Sequence, residues 1–277
     1  MPSRRLAPVA MVAVLVAVGS TGCEAEEQRP DPPAVSDTPW PDQDPELTID
    51  VEAGAGARTP EFVVTPSSAS VSVVTAGGGR LRLLPGPVGD DVAALFPAPE
   101  SASRGRLAVL RVDPGAGVPL LEPGDREFQL GLDLLLPQTA VRTDTDDGDN
   151  LLQRGLFGDE GQLKLQVDGG EPSCRVAGDE GEVTVDADTS LTTGEWFRLR
   201  CQRTERRLTL YVGRVGPDGL VTSWTHWSED GRTGTVEFPD EAAVISVGGK
   251  LNPQGGVVPD APDQFSGALA HVVYAVR

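Results

Sequence analysis

The sequence predicts an all-β protein, an antiparallel β-sandwich. Three observations carry that prediction. Apolar residues recur with a period of two in short runs. Turn residues interrupt them every eight to twelve positions. No stretch beyond the N-terminus keeps a helical period over three turns. The composition agrees: 39% hydrophobic and 5% aromatic residues, with 33 glycines and 24 prolines in 277 residues. That suits an aliphatic interior and many turns, below the range of low-complexity chains.

The clearest strands lie within residues 150–212. Leu163, Leu165 and Val167 alternate with Gln162, Lys164 and Gln166, so one face meets a core and the other water. Asp168-Gly169-Gly170 follows and supplies residues that tolerate positive φ in a tight hairpin. Cys174 sits on the return strand. Phe197, Leu199 and Cys201 point one way while Arg198, Arg200 and Gln202 point the other; Leu208, Leu210 and Val212 form the next apolar face. Upstream, residues 62–65, 71–75, 80–84 and 106–112 read as strands, and residues 90–96 as one short helical turn. Phe128, Leu130, Leu132, Leu134 and Leu136 alternate cleanly until Pro137 ends the run. One domain over residues 51–277 is simpler than a separate β unit at 51–100.

Residues 1–22 have the form of an export signal: Arg4-Arg5, then an apolar stretch at 6–18 too short to span a bilayer comfortably. Ser20-Thr21-Gly22-Cys23 resembles a bacterial lipobox, in which the Cys23 sulfur takes a diacylglycerol, although serine stands where leucine is usual. The other reading is plain secretion. Residues 23–50 change in composition, with nine acids, one arginine and six prolines from position 24 on. So few apolar groups cannot offset the entropy of ordering, and a disordered acidic tether is expected. Trp40 within it is either an exposed accident or a plug against the domain. The expected location is the cell surface, with membrane contact only through a lipid at Cys23.

The formal net charge is −19, which repels nucleic acid and anionic surfaces. Only two of the 23 basic residues are lysines, a bias that fits a GC-rich genome. In an exported domain Cys174 and Cys201 are a natural disulfide pair; two separate buried thiols are the alternative.

The order QxG, GQxKLQV, a cysteine, GEWFRLRC and LxLYV, with ISVGGK at 245–250 and FSGALAHVVYAV at 265–276, resembles a laminin G-like domain. That family belongs to the concanavalin A-like jelly-roll superfamily, which includes lectins, adhesion modules and glucanases. The resemblance spans roughly residues 150–277, and it implies a sandwich and a binding role toward glycan or extracellular protein. The glucanases' E-x-D-x-x-E strand pattern is absent; Glu180-Gly181-Glu182 falls in a turn. Without nucleophile triad, GxSxG or phosphate loop, the expectation is a non-catalytic module. The alternatives are a structural envelope protein without small ligand and a divergent glycoside hydrolase.

Two constellations are candidate sites. Asp144, Asp146 and Asp149, around Gly148, place alternate carboxylates where a hard cation such as Ca²⁺ takes oxygen ligands. The run begins like an EF-hand loop but has Gly155 where that loop has glutamate. The other reading is a solvated loop. Trp224, His226 and Trp227 concentrate indole and imidazole, which suits stacking on a sugar ring; as a strand, Trp224 and His226 share a face opposite Trp227. The bland alternative is a plug at a sandwich edge. His271 falls in the closing strand and reads as structural.

Overall fold

The computed structural model describes residues 35–42, 44–54, 59–98, 105–115, 120–137, 148–238, 244–258 and 263–277. Residues 1–22, Cys23, Asp144 and Asp146 lie outside them. Among the described residues sixteen strands follow one another: β1 (Leu47–Ala53), β2 (Pro60–Thr65), β3 (Ser70–Ala76), β4 (Arg82–Pro85), β5 (Val92–Leu95) and β6 (Leu107–Asp113). Next come β7 (Phe128–Leu135), β8 (Asp149–Arg154), β9 (Gln162–Asp168), β10 (Glu171–Gly178) and β11 (Gly181–Asp186). The last are β12 (Trp196–Thr204), β13 (Arg207–Val215), β14 (Val221–Asp230), β15 (Ile245–Val247) and β16 (Ala268–Val276).

They form two antiparallel sheets. The nine-stranded sheet runs β14-β13-β12-β7-β16-β1-β2, with β5 paired to the first part of β16 and to β4. The seven-stranded sheet runs β11-β10-β9-β8-β15-β6-β3. The core between them is aliphatic, with Leu130, Leu132 and Leu134 of β7, Leu165 of β9, Leu199 of β12 and Leu210 of β13 fully buried.

The two-residue rhythm accounts for this arrangement. Leu163, Leu165 and Val167 enter the core, and Gly169 and Gly170, with φ of 59° and 92°, close the hairpin to β10. Both central residues need positive φ in that turn, as a type I′ hairpin requires. Cys174 and Cys201 are joined. The bond crosses the core, since Cys174 belongs to the seven-stranded sheet and Cys201 to the nine-stranded one.

Residues 90–96 differ from expectation. They contain strand β5 rather than a helical turn, laddered between β16 and β4. Ala93 and Ala94 are buried, and Phe96 packs edge-on against Phe265 at 6.0 Å. Tertiary pairing overrides the helical preference of the alanines. The acidic N-terminal segment also differs over its second half: β1 begins at Leu47, and residues 36–42 lie on the outer face of the nine-stranded sheet. There Tyr211 donates its hydroxyl to Ser36 O (3.2 Å), and Gln129 Nε2 donates to Trp40 O (3.1 Å). Trp40 is the plug, half-buried beneath the Arg277 guanidinium at 4.2 Å. Composition reports only the scarcity of apolar groups, whereas here the polar ones find partners.

Candidate functional site

The outer face of the seven-stranded sheet carries a polar row read directly from the register: Arg111 of β6, Ser246 of β15, Gln153 of β8, Lys164 of β9 and Arg175 of β10. At the middle of the row two loops, residues 155–161 and 251–253, rise with Val244 and Phe238 to enclose a cleft of about 300 Å³. Gln153 and Ser246 are part of its lining, Leu156, Phe238 and Leu251 give it apolar surface, and Asp159, Glu160 and Asn252 add polar groups.

Each wall has a local cause. Gly155 has φ of 75°, and a Cβ there would stand 2.1 Å from Gly161 O. Only glycine lets the chain double back so tightly. Asp159 Oδ2 accepts the Leu156 amide at 2.6 Å and ties the loop. Gln153 is held from both ends, donating to Gly155 O at 2.6 Å and accepting from Asn150 Nδ2. Asn252 Oδ1 accepts the amides of Gln254 (3.0 Å) and Gly256 (2.9 Å), and its NH₂ has no hydrogen-bond partner among the described residues. Phe238 is packed under the Arg154 guanidinium at 4.1 Å. Glu160 is exposed and makes no ion pair among the described residues. Beside the cleft Phe157 is 82% exposed, its ring 4.7 Å from the Arg175 guanidinium carbon. The arrangement offers amide, hydroxyl and carboxylate groups over an apolar surface.

The aromatic constellation lies elsewhere, on β14 at the edge of the nine-stranded sheet. Trp224 and His226 share its outer face and both pack on the buried Tyr211 ring, at 6.4 and 5.6 Å. Trp227 turns to the core side and donates Nε1 to Asp188 Oδ1 at 2.8 Å. Two of the three are brought together, then, and the third is not. Asp149 opens β8. Among the described residues no group of three or more His, Cys, Asp and Glu is placed to hold a metal ion.

With this geometry in hand, the relationships to known proteins are informative. Residues 141–276 match the laminin G domain family. That stretch is similar to a laminin G domain. The chain is similar in fold to the binding domain of botulinum neurotoxin serotype G, with 8% identity and a TM-score of 0.48 over 84% of this chain and 48% of that one. It thus spans about half the length of that neurotoxin domain. Domain 4 of a GH43 extracellular arabinanase from Geobacillus stearothermophilus, solved with arabinotriose, is similar at 13% identity and TM-score 0.47, covering 80% of this chain and 88% of that one. The LG1-3 region of the laminin alpha2 chain gives 12% identity and TM-score 0.40 over 78% and 33%. No curated protein matches the chain.

The other outer face of the sandwich is filled by its own charges. Asp133 of β7 is fully buried and is gripped by Arg198 Nε and Nη2 at 2.7 and 2.8 Å. His271 reaches it through Nδ1 at 3.0 Å, because a bulge between Ala270 and Val273, with φ of 49° at His271, turns the ring toward β7. Burial alone would raise the Asp133 carboxyl, but the bonds from Arg198 and His271 and the charges of Arg198 and Arg200 bring it below the ordinary carboxylate value. The same bond raises His271 against its own desolvation, with Asp91 and Asp50 adding to the effect. Beside them Arg200 forks onto Asp42 of the N-terminal segment at 3.0 and 2.5 Å. The sign of this network in the sequence was an aspartate inside a run of leucines, FQLGLDLLL. The cleft loops had only the glycines of GLFGDEG to announce them.

Proposed function

We propose that this laminin G-like module binds without catalysis and takes a saccharide in the cleft between residues 155–161 and 251–253. The observation that supports the reading most is the lining itself. Sugars present hydroxyls around a ring with apolar faces. Here the fixed Gln153 amide, with the Asn252 NH₂ and the Glu160 carboxylate that have no partner among the described residues, lies beside Phe238, Leu251 and Leu156. The volume of about 300 Å³ sits at the lower end of the range for small-molecule sites. The protein is exported and anchored through a lipid on Cys23, so the saccharide belongs to an envelope or extracellular polymer. Calcium held by Asp144, Asp146 and Asp149 is part of the proposal, as is a second contact through Trp224 and His226.

A glycan array read with and without chelator tests this. Binding that falls at least tenfold in Glu160→Gln and Phe157→Ala supports the cleft, since both side chains are exposed and their loss leaves the fold alone. A flat response in both conditions removes the saccharide reading in favour of a structural envelope role. Turnover of polysaccharide by the purified protein would revive the glycoside hydrolase.

A further inference from the structure

The cleft between residues 155–161 and 251–253 has a floor and a rim of different chemistry. Ser246 of β15 is part of its lining and only 3% exposed, and its hydroxyl has no hydrogen-bond partner among the described residues. The strand explains its position. Ile245 and Val247 enter the core, so the alternation turns Ser246 to the outer face, in register between Arg111 and Gln153. A buried hydroxyl calls for a partner, and here the partner must come from the cleft.

The rim is acidic. The charged residues of the lining are Asp159 and Glu160. Asp159 Oδ2 is taken by the Leu156 amide, whereas the exposed Glu160 carboxylate has no partner among the described residues. Residues 239–243, between Phe238 and Val244 of the lining, lie outside the described residues; their sequence, Pro-Asp-Glu-Ala-Ala, contains two acids and no base. The bases on neighbouring positions are engaged: Arg154 with Leu120 O and Glu122, Arg175 with Gln162 and Glu182, Arg111 with Asp113, and Lys250 with Asp263. Lys164, opposite Gln153, has a partner too.

These two observations narrow the ligand. A uronic acid would bring its carboxylate beside Asp159 and Glu160, where like charge rejects it. A neutral sugar would serve Ser246 and Asn252 and leave Glu160 facing water. A sugar with a free amine supplies hydroxyls for the floor, an ammonium for the rim and a ring face for Leu156 and Leu251. We infer that the cleft selects an amino sugar whose amine is not acetylated, with the ammonium on Glu160 and a ring hydroxyl on Ser246 Oγ. This rests on the saccharide reading above and deepens it.

Isothermal titration calorimetry of the whole protein at about 0.15 M salt tests it, with the disaccharide of glucosamine, its N-acetylated form and digalacturonate as probes. The amine form should bind about tenfold more tightly than the acetylated one, as a charge-assisted bond provides, and digalacturonate should not bind. Glu160→Gln should bring the amine form down to the level of the acetylated one. Ser246→Ala should weaken both alike. The chain is acidic throughout, with 42 acids against 23 bases, so Glu52→Gln, an exposed site on β1 of the other sheet, controls for general attraction and should change nothing. Equal affinity for the amine and acetylated forms, preference for digalacturonate, or an equal loss in Glu52→Gln would overturn the amino-sugar assignment and leave the saccharide reading standing. An unchanged affinity in Ser246→Ala would overturn the floor contact. Failure of every saccharide to bind would overturn both.

Discussion

Replacing Asp133 by alanine tests the central claim about the nine-stranded sheet, that its outer face is held by a buried charge network. The carboxylate is fully buried and accepts three bonds, two from Arg198 and one from His271. Removing it strands Arg198, whose side chain is only 21% exposed, and leaves His271 Nδ1 without its acceptor. Breaking a buried pair from one side costs about 3–5 kcal/mol. The partial exposure of Arg198 places the expectation at the low end, about 3 kcal/mol. Urea unfolding followed by tryptophan emission, with the disulfide intact, reads this. A cycle with Arg198→Ala should return a coupling of about 1–3 kcal/mol. A loss under about 1 kcal/mol in Asp133→Ala would refute the network's role.

The same network sets opposite limbs of the pH profile. Asp133 has a lowered native pKa, so its contribution is present above the ordinary value of 3.8 and fades as pH falls through the native one. His271 has a raised native pKa. Its contribution is complete below the ordinary value of 6.5 and fades as pH climbs through the native one. His271→Gln should therefore flatten the alkaline limb above pH 6.5 and leave the acid limb in place. An unchanged alkaline limb would show that His271 does not titrate against Asp133.

Three further outcomes are expected. Reduction of Cys174–Cys201, which closes a sequence separation of 27 residues, should cost about 3.5 kcal/mol in the chain-entropy model, seen as a lower urea midpoint with dithiothreitol; an unchanged midpoint would contradict it. Asp42→Ala removes the acceptor of Arg200, whose side chain is 3% exposed, and should cost about 1–3 kcal/mol. It should also free residues 36–42 to proteolysis and shift Trp40 emission to the red; protection equal to the parent's would mean that Asp42 does not hold the segment. Cys23→Ser should move the protein from the membrane to the soluble fraction, and unchanged fractionation would count against the lipid anchor.

The sandwich was legible because its rule is local. A period of two assigns each residue of β9, β12 and β13 to core or solvent, and Gly169-Gly170 marks the reversal. The rule fails where partners decide. Residues 90–96, with their adjacent alanines, gave no alternation, and only β16 and β4 make them a strand. Residues 36–42 have too little apolar surface to fold alone, and Arg200, Gln129 and Tyr211, more than eighty positions away, hold them. The cleft was less legible still. Gln153 and Ser246 are 93 residues apart and meet only because β8 pairs with β15. Asn252 is recruited by a loop whose residue types suggest nothing beyond a turn.

The two outer faces also explain why the proposed cleft lies on the seven-stranded sheet and not over Asp133 and Arg200 of the other. On the nine-stranded sheet the outer-face charges Asp133 and Arg200 already have counter-charges in Arg198 and Asp42, and the chain's own residues 36–42 lie over Tyr211. A ligand arriving there would have to displace a bidentate ion pair and unpack Trp40. On the seven-stranded sheet the polar row is interrupted by a hollow in which the NH₂ of Asn252 and the carboxylate of Glu160 have no partner among the described residues. Water occupies such groups until a ligand replaces it, and exchanging water for a sugar hydroxyl costs far less than breaking a buried pair. The cleft is therefore the face on which Glu160→Gln should be felt in binding, and the Asp133 network the face on which substitutions should be felt in stability.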